Sequence, residues 1–157
     1  SQVRLLDIVS DVIDSERLAV GDGEVSFSED IPATLSLRAD PEQLYRVLFN
    51  LVRNARQAIL ASGQEGEISV AAWEDDEGWT ITVTDTGPGL PPKTRANLFT
   101  PFQGGASKGG SGLGLVISAE LIRGHGGQLL LDSTGEEGTR FRILLPKTMV
   151  ALDDAAE

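Results

Sequence analysis

The sequence contains no cysteine and only one histidine, His125. The absence of thiols excludes disulfides, thiolate metal sites and cysteine nucleophiles, and it fits a reducing compartment. A single histidine excludes a multi-histidine metal site and leaves one candidate for any serine–histidine mechanism. Because His125 follows a predicted helix and precedes two glycines, we interpret it as a structural residue that caps helix carbonyls.

Positive charge is also scarce in this chain. The 157 residues include 13 lysines and arginines against 24 aspartates and glutamates, which gives a net charge of −11. Nucleic-acid binding needs a basic surface, so no nucleic-acid partner is expected. An anionic ligand would have to be held by helix N-termini, by glycine-loop amides or through a bridging cation.

Long apolar runs are missing as well. No run approaches the roughly 18 apolar residues of a membrane-spanning helix, and the N-terminal segment carries acids within its apolar pattern. We therefore expect no direct membrane contact and a cytoplasmic location, while anchoring of a parent protein in a membrane stays open. The chain begins with Ser1 rather than Met, so we expect a piece of a longer protein. Its length and 40% hydrophobic content indicate one domain with a core.

Apolar periodicity predicts a mixture of helices and strands. Residues 3–18 are expected to form an amphipathic helix. The shorter predicted elements are strands around Glu24–Phe27 and Thr34–Leu37, a hairpin of Glu67–Trp73 and Trp79–Asp85, helices over Lys93–Leu98 and Leu113–Arg123, and strands over Gln128–Asp132 and Thr139–Leu145. The stretches Ser28–Pro32 and Ser133–Gly138 are expected to be connections between strands.

A long helix after Asp40 has the strongest local signals. Asp40 is a good N-cap, Pro41 suits the first helical position, and Gln43 stands where a capping box has Glu or Gln. The helix is expected to run to about Ala61 and to end at Ser62 and Gly63, with a stripe of apolar residues along one face.

Two asparagines on this helix, Asn50 and Asn54, are four residues apart and therefore share a face. The pattern puts Asn54 at the edge of the apolar stripe and Asn50 one step further towards the polar side. Their carboxamide oxygens suit Mg²⁺, which keeps several waters and shares phosphate ligands with proteins. The alternative is a pair of amides on a solvated helix flank.

Asp85 ends a predicted strand and is followed by Gly87 and Gly89. A carboxylate there accepts a hydrogen bond from a donor such as an adenine amino group, and glycines let the backbone approach a flat ligand. A plain turn is the alternative, because Asp-x-Gly and Gly-Pro-Gly are common in turns. At the start of the last strand Thr139 follows Gly138, and its hydroxyl could reach the same pocket.

A glycine-rich loop, residues 103–112, leads directly into the helix over Leu113–Arg123. Free amides at a helix N-terminus bind phosphate, and glycines let the phosphate approach. Lys108 is the one cation of this loop and could reach a terminal phosphate. A flexible linker with a solvated lysine is the alternative. Just before the loop, Phe99 and Phe102 could pack a lid or simply anchor the loop to the core.

Taken in chain order, these motifs resemble those of the catalytic domain of sensor histidine kinases. The resemblance covers about residues 24–146. The motifs similar to its N, G1, F, G2 and G3 boxes are Asn50-x-x-x-Asn54-Ala55, Asp85-x-Gly87-x-Gly89, Phe99-x-Pro101-Phe102, Gly110-x-Gly112-Leu113-Gly114-Leu115 and Gly138-Thr139. The wider ATPase group contains type II topoisomerases, mismatch-repair ATPases and the 90-kilodalton heat-shock chaperones, and the Phe and Gly-Leu-Gly-Leu forms point to histidine kinases.

The resemblance implies an α/β (α+β) two-layer sandwich of the Bergerat type, with a mixed, mostly antiparallel sheet and helices on one face. It also implies ATP and Mg²⁺ as cofactors. Asn54 would ligate Mg²⁺, and Asn50 would lie close to the phosphates. The lid and the helix N-terminus would hold the phosphates at Lys108, Gly110, Gly112, Leu113 and Gly114.

The resemblance implies an adenine pocket at the other end of the nucleotide. Asp85 would accept a hydrogen bond from the adenine amino group, partly through water. Gly87 and Gly89 would shape this pocket, and Thr139 would line it. Gln57 departs from the pattern, because many members have Lys or His there near the phosphates; the Asn-Ala-x-Gln-Ala form resembles kinases of the nitrogen-regulation type.

The phosphoacceptor histidine in its His-Glu/Asp box is absent from this chain, so the catalytic set is incomplete. The implied organisation is a helix over residues 1–18 that leads to a separate dimerisation and phosphoacceptor domain, an ATP-binding catalytic domain over residues 19–147, and an acidic tail over residues 148–157. A response regulator is the implied indirect partner, and the fragment is expected to be mainly monomeric.

The resemblance implies one function and leaves two alternatives. The first is the catalytic domain of a sensor histidine kinase, which would pass the γ-phosphoryl group of ATP to a histidine on the other domain. The second is a serine kinase of the anti-sigma type on the same fold, which would need no upstream histidine. The third is a degenerate, non-catalytic module that binds other proteins.

Overall fold

A computed structural model of the chain describes residues 2–20, 23–100 and 114–147. Within these residues, the elements in chain order are β1 (Gln2–Arg4), α1 (Leu5–Val20), β2 (Val25–Asp30), β3 (Ser36–Arg38), α2 (Pro41–Ser62), β4 (Gly66–Glu74), β5 (Gly78–Asp85), α3 (Pro92–Ala96), α4 (Gly114–Gly124), β6 (Gln128–Gly135) and β7 (Gly138–Pro146). None of the helices in these ranges is long and apolar enough to cross a membrane.

Five strands form one sheet in the order β2-β4-β5-β7-β6. The β2–β4 pair is parallel, and the other three pairs are antiparallel. The strands β1 and β3 form a separate antiparallel pair. The predicted mixed, mostly antiparallel sheet is therefore confirmed.

The core lies between this sheet and the helices α1, α2 and α4. Side chains alternate along each strand, so that Val70, Val83 and Phe141 form one buried row across β4, β5 and β7. The helix α1 packs on α2, where the buried carboxylate of Glu16 is paired with Arg56. Since α1 ends at Val20, the domain boundary predicted between residues 18 and 19 lies inside this helix.

The helix α2 begins as the sequence predicted. The Asp40 side chain accepts hydrogen bonds from the backbone amides of Glu42 and Gln43, and such a cap contributes about 1 kcal/mol. The predicted capping box is wrong in its second half, because the Asp40 amide donates to His125 Nε2 at 3.1 Å rather than to Gln43. Gly63 ends the helix with φ at 74°, a left-handed conformation that favours glycine.

Several predicted boundaries are wrong where strands pair over long distances. The predicted helix over residues 3–18 starts at Leu5, because Gln2–Arg4 pairs with β3. The connection predicted over Ser28–Pro32 is partly strand, because β2 continues to Asp30 beside β4.

Three further boundaries differ for similar reasons. The connection predicted over Ser133–Gly138 shrinks to a two-residue turn, because β6 continues to Gly135 beside β7. The strand predicted at Thr34–Leu37 is shifted to β3, whose register is set by β1. The helix predicted over Lys93–Leu98 is α3 and ends at Ala96, where the Asn97 amide turns back to Thr94.

Candidate functional site

The candidate site begins where β5 ends. On the face of the sheet that the helices cover, the last cross-strand row consists of Ile68, Asp85, Thr139 and Thr134, on β4, β5, β7 and β6. Asp85 and Thr139 are both buried. The two residues that the sequence placed at the ends of distant strands are therefore neighbours, at one edge of an otherwise apolar layer.

The carboxyl group of Asp85 has an unusual environment. Burial raises its pKa above the 3.8 of an ordinary aspartate, although hydrogen bonds from the backbone amides of Gly87 and Thr139 lower it. The Gly87 amide donates to Asp85 Oδ1 at 2.8 Å. A carboxylate that has lost most of its water gains from any further N–H donor. Asp85 is therefore well suited to accept a hydrogen bond from the amino group of a ligand.

Gly87 keeps a narrow space open beside this carboxyl group. A Cβ atom built on Gly87 would lie 3.1 Å from Asp85 Oδ1 and 3.4 Å from Ile59 Cγ1, which belongs to α2. A larger residue would fill the space between the carboxylate and the helix. Glycine at this position therefore avoids crowding an acceptor that has an apolar neighbour, and this combination suits the amino group and the face of an adenine ring.

Two more glycines bring loops together around this opening. Gly89 has φ at 87°, and a Cβ on it would lie 2.3 Å from the Gly135 carbonyl oxygen. Gly138 has φ at 135°, and a Cβ on it would lie 1.8 Å from the Asp85 carbonyl oxygen. Both positions require glycine, because of the backbone conformation and because of the close approach of another backbone.

A chain of hydrogen bonds joins these loops. The Leu90 amide donates to Thr134 Oγ1 at 2.9 Å, and Thr134 Oγ1 lies 2.8 Å from Thr139 Oγ1. The segment after β5 is thereby fixed to the turn between β6 and β7. The Thr139 hydroxyl has a protein partner in this network, and its predicted role as a residue that lines the ligand pocket stays a prediction.

Asn50 is buried between α2 and α4, so the prediction that it lies on the more polar side of the stripe is wrong. Its Nδ2 donates to Ser118 Oγ at 3.2 Å, and its Oδ1 accepts from Arg53 Nη2 at 2.8 Å. A Cβ on Gly114 would lie 2.6 Å from the same Oδ1. The start of α4 therefore approaches Asn50 closely. Because of this contact Asn50 is more buried than Asn54, which is the opposite of the order that the pattern within α2 predicted.

Asn54 has the opposite character. It is half-buried, and its carboxamide makes no hydrogen bond with any residue of the ranges that the structure describes. A free amide oxygen at a partly shielded position fits a ligand of a divalent cation or of its waters. Over the same described ranges, no group of three or more histidines, aspartates or glutamates could hold a metal ion. A cation at Asn54 would be shared with oxygen atoms of a bound molecule.

The helix α2 sets the spacing of these groups. Asn50 and Asn54 are four residues apart, so they share one flank of the helix at about 6 Å along its axis. Ile59, which lies beside Gly87, is about 7 Å beyond Asn54 along the axis and on another side of the helix. The residues present fit a nucleotide bound through a magnesium ion.

His125 holds the far ends of α2 and α4 together. Its Nδ1 lies 2.8 Å from the Leu121 carbonyl oxygen, and its Nε2 accepts the Asp40 amide. A carbonyl can only accept, so the ring is the neutral form with its proton on Nδ1. The geometry agrees with the predicted structural role of His125, and it explains why the two helices that carry Asn50 and Ser118 keep a fixed relation.

Several predicted site residues lie outside the described ranges: Pro101, Phe102, Lys108, Gly110, Gly112 and Leu113. Their proposed roles stay predictions. Of the phenylalanine motif, Phe99 is described and is 38% exposed, after the buried Leu98. Gln57 is exposed on α2.

The sequence reasoning missed Ser118, Arg53 and Thr134. Ser118 is 2% exposed in the middle of α4, and its position among the apolar residues of that helix was the available signal. Arg53 lies between the two asparagines in sequence, and nothing in the sequence nearby shows that its side chain contacts Asn50. Nothing local marked Thr134, because its partners Leu90 and Thr139 belong to other segments.

Comparison with known proteins gives the family. Residues 39–149 match the model of the histidine kinase-, DNA gyrase B-, and HSP90-like ATPase family. Similar curated proteins include the sensor histidine kinase ZraS of Escherichia coli O157:H7, which is 39% identical over 117 residues, and the alginate biosynthesis sensor protein KinB of Pseudomonas aeruginosa, which is 36% identical over 124 residues. These matches cover 74% and 78% of this chain but 25% and 20% of the relatives, so the chain spans a quarter of them or less.

Solved structures agree with the family match. A mycobacterial sensor histidine kinase, MprB, superposes with a TM-score of 0.79 at 27% identity, over 93% of this chain and 97% of the other. The catalytic domain of the histidine kinase ThkA superposes with a TM-score of 0.81 at 26% identity, over 94% and 95%. The resemblance and the fold class predicted from the motifs are confirmed. The serine kinase and the degenerate module are not favoured, because the relatives are sensor histidine kinases.

Proposed function

This chain belongs to the histidine kinase-, DNA gyrase B-, and HSP90-like ATPase family, and from that premise we propose that it binds Mg-ATP and donates the γ-phosphoryl group to a histidine. The histidine would lie on a separate dimerisation domain of the same kinase, with α1 leading towards it. A response regulator would take the phosphoryl group from that histidine. The location of this domain in the cytoplasm and its monomeric state belong to the same proposal.

One observation carries the nucleotide part of the proposal. Two polar groups support a ligand site: the buried carboxylate of Asp85, beside Gly87 and Ile59, and the carboxamide of Asn54 on α2, which is unpartnered in the described residues. A ring with an amino group suits the first, and a magnesium ion suits the second. ATP contains such a ring and, with its magnesium, such a cation. The Asn54 carboxamide would help to hold Mg²⁺, whose charge would reduce the repulsion between the phosphates and a protein of net charge −11.

Phosphoryl transfer would require little covalent chemistry from this chain. Its residues would position the nucleotide, exclude water from the base and hold the phosphates, while the nucleophile comes from the other domain. The chain alone would therefore hydrolyse ATP slowly. Because a phosphorylated histidine is labile in acid and a phosphorylated serine is stable in acid, the product identifies the acceptor.

The binding test uses calorimetric titration of the chain with ADP and with a non-hydrolysable ATP analogue, with and without Mg²⁺. Asn54→Ala is expected to weaken Mg²⁺-dependent binding about tenfold or more, which is a loss of about 1.4 kcal/mol. Its free energy of unfolding should change by about 0.5 kcal/mol or less, because the Asn54 carboxamide has no partner in the described residues. Gln43→Ala, which removes a side-chain amide from the first turn of the same helix, is the matched control and should bind as the wild type does.

Two results would contradict the proposal in different places. A folded wild-type chain that binds neither nucleotide would refute the nucleotide site as a whole. Equal Mg²⁺-dependent affinities for the wild type and Asn54→Ala would refute the metal role of Asn54 and leave the adenine site standing. The transfer step is tested by adding the dimerisation domain of the parent kinase and radiolabelled ATP, with acid-labile label on that domain as the expected result.

A further inference from the structure

A groove of about 230 Å³ lies between α2 and α4, next to the candidate site. It is lined in part by Asn50, Arg53, Gly114, Ser118 and Arg46. Two arginines in one small groove are notable in a chain of net charge −11. Neither forms an ion pair with an acid of the described residues, whereas Arg56 on the same helix is paired with Glu16. The groove is therefore a local positive region.

Arg53 has unsatisfied hydrogen-bonding capacity in this groove. One of its terminal nitrogens donates to Asn50 Oδ1 at 2.8 Å, and the guanidinium carbon lies 5.8 Å from the centre of the Phe49 ring. Its Nε is buried and has no hydrogen-bond partner in the described part of the chain. A buried unpaired donor costs free energy, and a charged one costs more, so such a group needs an acceptor from elsewhere.

The position of Arg53 identifies that acceptor. The guanidinium contacts Asn50, which is one helical turn from Asn54 on the same flank of α2 and lies against the start of α4 at Gly114. A nucleotide whose magnesium is held at Asn54 would have its phosphates within reach of this position. A guanidinium is a strong, directional partner of phosphate oxygens. The exposed Gln57 carries no charge and cannot take that part.

We propose that Arg53 contacts the terminal phosphate of the bound nucleoside triphosphate in the groove between α2 and α4. This inference rests on the proposed function and assigns to it a residue that distinguishes ATP from ADP. Arg46 lies almost two helical turns further from Ile59 than Arg53 does and serves as the matched control: it has the same charge, the same helix and the same groove.

The test measures the affinities for ADP and for the non-hydrolysable ATP analogue by calorimetry with Mg²⁺ present. Arg53→Gln is the informative variant, because its side-chain amide can still donate to Asn50 Oδ1 while the charge is gone. Its affinity for the ATP analogue is expected to fall about tenfold, the loss of one charge-assisted hydrogen bond, and its affinity for ADP should stay within about twofold. Arg46→Gln should leave both affinities within about twofold of the wild type.

The outcomes separate this inference from the proposed function. An equal fall for ADP and for the ATP analogue would overturn it, because Arg53 would then only position Asn50. Unchanged affinities in Arg53→Gln would overturn it as well. A wild-type chain that binds no nucleotide would instead refute the function itself. If Arg53→Gln lowers the unfolding temperature, Arg53→Met repeats the test, since its stem keeps the packing against the Phe49 ring.

Discussion

The turn between β6 and β7 allows a sharp prediction, because two of its glycines differ in what surrounds them. Gly138 has φ at 135°, and an added Cβ would lie 1.8 Å from the Asp85 carbonyl oxygen, where real Cβ atoms essentially never come closer than 3.0 Å. Gly135, at the other end of the turn, has open space around its Cβ position. Gly138→Ala should therefore be costly, and Gly135→Ala is its matched control.

The cost of Gly138→Ala has two parts. A backbone conformation that is almost exclusive to glycine costs about 1–3 kcal/mol for another residue. The collision is with backbone of β5, so it cannot be relieved by rotating a side chain; β5 and β7 must separate near Asp85 and Thr139, which loses a cross-strand hydrogen bond of about 1 kcal/mol. The expected loss in the free energy of unfolding is about 2–4 kcal/mol, against about 0.5 kcal/mol or less for Gly135→Ala.

Urea unfolding measures both variants. With a slope of about 2 kcal/mol per M, Gly138→Ala should lower the midpoint by about 1–2 M, and Gly135→Ala should leave it nearly unchanged. The same displacement moves Thr139 away from Asp85, so nucleotide affinity should fall in Gly138→Ala even under conditions where it is fully folded. Equal midpoints for the two variants would refute the reasoning, because they would mean that β5 and β7 can separate near Asp85 and Thr139 without a loss in the free energy of unfolding.

Two further predictions concern His125 and Asp85. His125→Ala removes the hydrogen bonds to the Leu121 carbonyl and from the Asp40 amide, so it should lower the free energy of unfolding by about 2 kcal/mol. The unfolding temperature measured by calorimetry should fall by about 4–8 °C. A shift below about 1 °C would contradict the role of His125 in holding α2 and α4 together. Burial raises the pKa of Asp85 in the folded state, so the folded chain binds more protons than the unfolded chain between pH 3.8 and that raised pKa. The stability of the wild type relative to Asp85→Asn should therefore fall as pH rises through this window and level off above it, and a difference that rises with pH would contradict the assignment.

The parts of the site that the sequence predicted are those with local causes. Asp85 and its glycines follow from the end of a strand and the need for a turn, and the start of α2 follows from the capping chemistry of Asp40. Each of these depends on residues within a few positions of one another. Their partners across the sheet could then be anticipated only through the resemblance to a family.

The parts that the sequence missed depend on packing between distant segments. Asn50 is a polar residue on the flank of its own helix, and it becomes buried only because α4 starts at Gly114 beside it. The Asp40 amide has an acceptor in His125, 85 positions away, which replaces the expected partner at Gln43. Helical periodicity carries no information on a neighbouring helix, so the exposure of these groups could not be read from it.

Three polar groups near α2 would gain from a ligand: the buried carboxylate of Asp85 at the end of β5, the carboxamide of Asn54 and the buried Nε of Arg53, of which the last two have no partner within the described protein. Each such group is costly for the folded chain, and a fold without a ligand would gain by replacing it with an apolar residue. They suit, in turn, an amino-bearing ring, a magnesium ion and a terminal phosphate, which are parts of Mg-ATP. One bound molecule would therefore satisfy all three groups at once. The stabilisation of the folded chain by a ligand should increase with the number of these groups that it contacts, so Mg-ATP should stabilise the chain more than Mg-ADP, and Mg-ADP more than adenosine.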